Sequence, residues 1–181
     1  MFIEIDAAGR ATGVLQIASP NCDERPDGAT VRLLVIHNIS LPPGEFGGTG
    51  IVELFTNTLD PAAHPYYAQI AGLKVSAHFL VRRDGAIVQF VATEMRAWHA
   101  GVSNWNGRER CNDFSIGIEL EGSDHQAFCD AQYESLALLT RYLLIWLGMH
   151  LLLILLHTHR WCNTPHQLHL LPFLRIRQTN Q

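Results

Sequence analysis

The stretch FSIGIELEG, residues 114–122, decides how this chain is read. Ile116, Ile118 and Leu120 alternate with Gly117, Glu119 and Glu121, and a period of two places the two sets on opposite faces of a β-strand. The informative residue is the carboxylate inside this apolar run. Burying an unpaired carboxylate is costly, so Glu119 calls for a metal ion, a proton-transfer role or an ion pair.

Working outward, VRLLVIHNIS (31–40) is a continuous apolar run that ends in polar residues, the pattern of a strand buried on both faces. It delivers His37 and Asn38 to its end, and open α/β sheets bind ligands beyond strand ends. VSAHFLVRRDGAIVQFVA (75–92) reads as a hairpin, because Asp84-Gly85 supplies the positive φ a tight turn needs between two apolar strands. LPPGEFGGTG (41–50) combines two prolines with four glycines and must be a loop. IVELFTNTL (51–59) has helical spacing closed by Asp60-Pro61. Asp130 stands where an N-cap would, ahead of a helix with Leu136, Leu139 and Leu143 on one stripe. Together these elements predict a single-domain α/β fold: a central mixed sheet from strands near 31–38, 75–82, 86–91 and 115–121, flanked by helices, with a groove at the His37 end. His37, His78, His99 and Glu119 are the residues from which chemistry could be built.

A chain of 181 residues with 48% hydrophobic content is enough for one substantial core. All 17 acidic residues lie at or before Glu134, while Arg141, Arg160, Arg175 and Arg177 follow, so the formal charge of -4 divides into an acidic body and a basic tail. Without a cluster of lysines and arginines there is no phosphate-neutralising surface, which argues against nucleic acid as a partner. Cys22, Cys111, Cys129 and Cys162 form no C-x-x-C pair, and the N-terminal MFIEIDAAGR has acids where a secretion signal carries positive charge. The first points to a reducing compartment and the second away from secretion by that route. Leu136 to Leu156 contains 11 leucines in 21 residues, but Arg141 and His150 interrupt it. A packed helix is therefore expected rather than a membrane span; a tethered protein is the rival reading.

The motifs VIHNISLPPGEFGG, SAHFLVRRDGAIVQF, RAWHAGVSNWNGRERCNDFSIGIELEG and DAQYESL together resemble the zinc amidase family called amidase-2, above all its cytoplasmic members that act on anhydromuropeptides. The likeness runs from about Cys22 to about Arg141 with the motifs in order. It implies a Zn2+ cofactor held in part by His37, with Glu119 taking the proton from the attacking water. It also implies a substrate groove lined by Asn38, Lys74, Trp98 and Arg110: the two cations would hold stem-peptide carboxylates and Trp98 would stack on the sugar. Lys74 and Arg110 are equally readable as surface charges, and Trp98 as core. His78 and His99 resemble structural or hydrogen-bonding positions of the family, outside its metal shell. The implied activity is cleavage of the amide between (1,6-anhydro)-N-acetylmuramic acid and L-alanine during peptidoglycan recycling, by a monomer. A module of the same fold that binds muropeptides without cutting them is the alternative.

The resemblance covers a body of residues 1–142 and stops at a leucine- and histidine-rich tail, 143–181. The family ends in a segment like Gly-His-x-Asp-Ile-Ala-Pro-x-Arg-Lys-Thr-Asp-Pro-Gly-Pro, which brings a second histidine ligand, a lysine and an aspartate ligand. No acid follows Glu134 and no lysine follows Lys74 here. His157 lies at about the right separation from His37 to stand in for the second histidine. Either His157, His159, Cys162, His166 and His169 furnish substitute ligands, or the tail derives from a shifted reading frame beginning near Arg141. The loss of acids and glycines favours the second.

Overall fold

The computed structural model describes residues 3–148 and the backbone of Leu153–Leu156. Six strands form the main sheet: β1 (Leu15–Gln16), β2 (Leu33–Ile39), β3 (Phe79–Val81), β4 (Ile87–Gln89), β5 (Ser115–Glu121) and β6 (Leu153–Leu156), in the spatial order β1-β4-β3-β5-β2-β6. β3 and β4 pair antiparallel as the predicted hairpin, and every other pairing in this sheet is parallel. The sheet is therefore mixed, as the sequence predicts. At the hairpin turn Gly85 adopts φ 83°, and a Cβ there would stand 2.8 Å from the carbonyl oxygen of Ala131, so both conformation and space demand glycine.

The alternation read in residues 114–122 decides the layers. Ile116, Ile118 and Leu120 of β5, with Leu34 and Ile36 of β2, pack against Leu139 and Leu143 of α3 (Asp130–Trp146). The opposite face meets α1 (Gly50–Phe55), α2 (Pro65–Gln69) and their loops through Ile39, Leu80 and Val88, while Leu33 and Val35 pack on Cys111 and Phe114. Between these two apolar clusters the second face carries Ser115, Gly117 and Glu119, and that polar stripe is where the site forms.

Three expectations are corrected. The helix predicted to run toward Asp60 stops at Phe55, because Asn57 turns left-handed (φ 60°) and its amide exchanges hydrogen bonds with Asn21. Asp130 is the first residue of α3 rather than its N-cap; Cys129 holds that position and its N–H donates to Gln132 Oε1 at 3.1 Å. The leucine-rich run is not one helix: α3 ends at Trp146, Gly148 is left-handed at φ 61°, and Leu153–Leu156 adds an edge strand on β2. Leucine suits helix and buried strand alike, so composition could not divide the run. No helix among the described residues is long and apolar enough to cross a membrane.

Candidate active site

Parallel pairing of β2 with β5 sets His37 directly opposite Glu119. Residues so paired share a face and lie within side-chain reach. His37 is 3% exposed and Glu119 fully buried. Neither carboxylate oxygen of Glu119 has a hydrogen-bond partner among the described residues. Burial without a partner pushes its pKa from the ordinary 4.5 up to about 8. Glu121, two residues on, shows the contrast: its oxygens accept the N–H groups of Gly47 at 2.7 Å and Arg83 at 3.1 Å, with the Arg82 guanidinium 3.6 Å away. One carboxylate of β5 is satisfied structurally and the other is held in reserve.

His99 reaches the site from the loop after β4. Its backbone N–H and that of Ala100 both donate to Asn112 Oδ1, and its ring lies on the surface that Gly117 leaves open. A Cβ on Gly117 would come within 2.6 Å of His99 Nδ1, inside van der Waals contact. The ring meets His37 Nε2 through Nδ1 at 3.0 Å and Ser115 Oγ through Nε2 at 3.1 Å. Burial, then the neighbouring His78 and Arg25, hold the His99 pKa well below the usual imidazole range. His78 is likewise depressed, to about 3, by burial first and Arg25 second. Its Nδ1 accepts the Gly117 N–H at 3.0 Å, which leaves Nε2 to donate to the Met95 carbonyl at 3.1 Å. Gly117 thus seats one histidine and anchors another. Gly117→Ala is expected to destabilise the fold by about 2 kcal/mol through overpacking. Thermal denaturation checks this: a Tm within about 1 °C of wild type would show that the His99 ring yields freely.

The other expected site residues are dispersed. Asn38 is buried, but alternation turns it away from His37, and its Nδ2 donates to Asp124 Oδ1 at 2.8 Å. Trp98 follows the short strand Arg96–Ala97, which pairs with Cys22–Asp23, and is pinned by its indole N–H to Asp23 Oδ1 at 3.1 Å; hydrogen bonding from Arg96 holds that carboxyl below its usual range. Arg110, left-handed at φ 61°, has a side chain 69% exposed and pairs with Asp113 at 3.1 Å. Lys74 borders a separate cleft of about 320 Å³ with Leu54, Asn57, Ile70 and Leu73, and neither His37 nor Glu119 lines it. His157 lies outside the described residues, as do His159, Cys162, His166 and His169. No group of three or more His, Cys, Asp or Glu suited to a metal occurs among the described residues. Ser115 and Gly117 escaped the sequence reading, although a glycine inside an apolar strand is itself a signal of close approach.

The family profile described as N-acetylmuramoyl-L-alanine amidase matches residues 27–167. The chain is 63% identical over 136 residues to the 1,6-anhydro-N-acetylmuramyl-L-alanine amidase AmpD of Escherichia coli K12, spanning 75% of this chain and 74% of that protein. It is 55% identical to the AmpD of Haemophilus influenzae across the same shares of the two chains. Among solved structures, the crystal structure of a selenomethionine derivative of AmpD superposes with a TM-score of 0.76 at 58% identity, covering 81% of this chain and 80% of that one.

Proposed function

Because the chain belongs to the N-acetylmuramoyl-L-alanine amidase family, we propose that it is a zinc-dependent hydrolase of the amide joining (1,6-anhydro)-N-acetylmuramic acid to the L-alanine of muropeptides, working as a cytoplasmic monomer in peptidoglycan recycling. The observation that carries the reading is the buried carboxylate of Glu119, without a hydrogen-bond partner among the described residues, in register with His37. A carboxylate kept dry and unpaired suits the neighbourhood of a divalent cation, which supplies the missing countercharge. His37 would be one protein ligand of Zn2+. His157 is proposed as another, since it directly follows Leu156, which pairs with Ile36 beside His37.

Zinc, when bound, would polarise the scissile carbonyl and acidify the attacking water. Glu119 receives the proton of that water as oxygen adds to the carbonyl carbon. It then passes the proton to the L-alanine nitrogen as the carbon–nitrogen bond breaks, releasing the sugar acid and the free peptide. The positive charge of the metal would offset the burial that raises its pKa and keep Glu119 ionised to accept that proton. Asn38, Lys74, Trp98 and Arg110 are proposed to contact substrate. In this reading residues 1–142 form the amidase-like body, and the residue 143–181 tail adds β6 to the edge of the sheet and carries His157.

Zinc content and product release test the reading together. The expected result is about one zinc per chain with release of an L-alanyl peptide from anhydromuropeptide, and loss of both in His37→Ala. Muropeptide binding without metal and without cleavage would instead establish the non-catalytic module.

A further inference from the structure

The hydrogen-bond chain running from β5 into the site has a direction that can be worked out donor by donor. Ser115 Oγ lies 2.6 Å from the carbonyl oxygen of Cys111. Two oxygens that close must share a hydrogen, and a carbonyl has none to give, so the hydroxyl donates there. A serine has a single hydrogen. Its oxygen can therefore meet His99 Nε2, 3.1 Å away, only by accepting, which places the hydrogen of the neutral His99 ring on Nε2. His99 Nδ1 then carries a lone pair, and His37 Nε2 at 3.0 Å must be the donor. A neutral imidazole with its hydrogen on Nε2 keeps its lone pair on Nδ1.

We infer that Ser115 and His99 form a positioning relay that fixes the tautomer of His37, holding its hydrogen on Nε2 so that Nδ1 is the nitrogen offered to the metal. β5 builds this relay from one face: Ser115 at its base, Gly117 as the seat of the His99 ring, and Glu119 opposite His37. The Asn112 side chain, holding two successive N–H groups of the loop, fixes the depth at which His99 enters. Metal-binding histidines in general gain orientation and basicity from such a partner on the second nitrogen. The inference rests on the zinc amidase reading for its purpose, and on hydrogen-bond geometry alone for the tautomer.

Two substitutions of His99 separate positioning from packing. In His99→Asn the amide oxygen occupies the place of Nδ1 and still accepts from His37. In His99→Gln the amide reaches the place of Nε2 and abandons His37. Zinc affinity, measured by chelator competition on the full chain, is expected to fall about 10- to 100-fold in His99→Gln and Ser115→Ala but by no more than about 3-fold in His99→Asn. Equal losses in His99→Asn and His99→Gln would overturn the relay, because both remove the same ring. Long-range proton–nitrogen correlation of imidazole-labelled, metal-free protein at neutral pH gives a second readout: His37 is expected as the Nε2–H tautomer, and finding Nδ1–H overturns the inference outright. A wild-type protein that shows the Nε2–H tautomer yet takes up no zinc would keep the relay and defeat the zinc amidase reading.

Discussion

Glu119→Gln is expected to reduce amidase turnover by about 100- to 10,000-fold, the usual worth of a positioned general base, while making the metal-free protein more stable at alkaline pH. The two effects have one origin. In the fold Glu119 is held protonated, with its pKa raised from 4.5 to about 8 by burial. A raised folded-state value means that its contribution to stability is complete below pH 4.5 and is lost as pH rises through about 8. At about 1.36 kcal/mol per pH unit, that interval corresponds to a loss on the order of 5 kcal/mol. Glutamine keeps the shape and cannot ionise. With chelator present, wild type and Glu119→Gln should melt within a few degrees of each other near pH 4.5 and diverge by roughly 10 °C at pH 9, the variant being the more stable. Taking the difference between the two proteins cancels the contributions of His78 and His99, which the substitution leaves in place. Parallel melting curves across that range would show that Glu119 has a partner or solvent access in the fold; unchanged turnover would remove it as general base.

Arg25→Met is expected to lower the melting temperature by about 10 °C, through a loss of roughly 4 kcal/mol. The Arg25 guanidinium donates to four main-chain carbonyls: Asn112 at 3.0 Å, Asp113 at 3.2 Å, Thr93 at 3.2 Å and Ser115 at 2.9 Å. It ties the loop after β4 to the start of β5, the two segments that bring His99 and Ser115 together. Burial draws its pKa down to about 10, so it remains charged at neutral pH, and Glu94 and Asp113 partly offset the cost. Methionine has similar length and no donor, and the four carbonyls would lose their shared partner. Lysine should recover only part of the loss, since a single ammonium cannot span the planar fork. A change below about 2 °C in Arg25→Met would mean that water replaces the guanidinium at little cost.

The legible parts of the site were those written in a single element. His37 at the end of an apolar run and Glu119 inside one are local anomalies, and the motifs around them carried the family resemblance as well. The relay was harder to see because it is distributed: Ser115 is an ordinary strand residue until the hydroxyl is found between Cys111 and His99. Lys74 and Arg110 are cations whose surroundings are set by the loops that carry them, and the sequence holds no sign of the cleft beside one or the ion pair of the other.

The sequence by itself determined the four central strands, the hairpin and the two faces of β5, because a period of two is a property of neighbouring residues and survives any tertiary arrangement. Which strand lies beside which, and in what register, depends on contacts between residues far apart in the chain. Only the tertiary structure decided that His37 meets Glu119, that the His99 ring fills the gap over Gly117, and that the leucine-rich run divides into the end of α3 and an edge strand on β2. Alternation specifies the face a side chain occupies; the packing of distant segments specifies its partner.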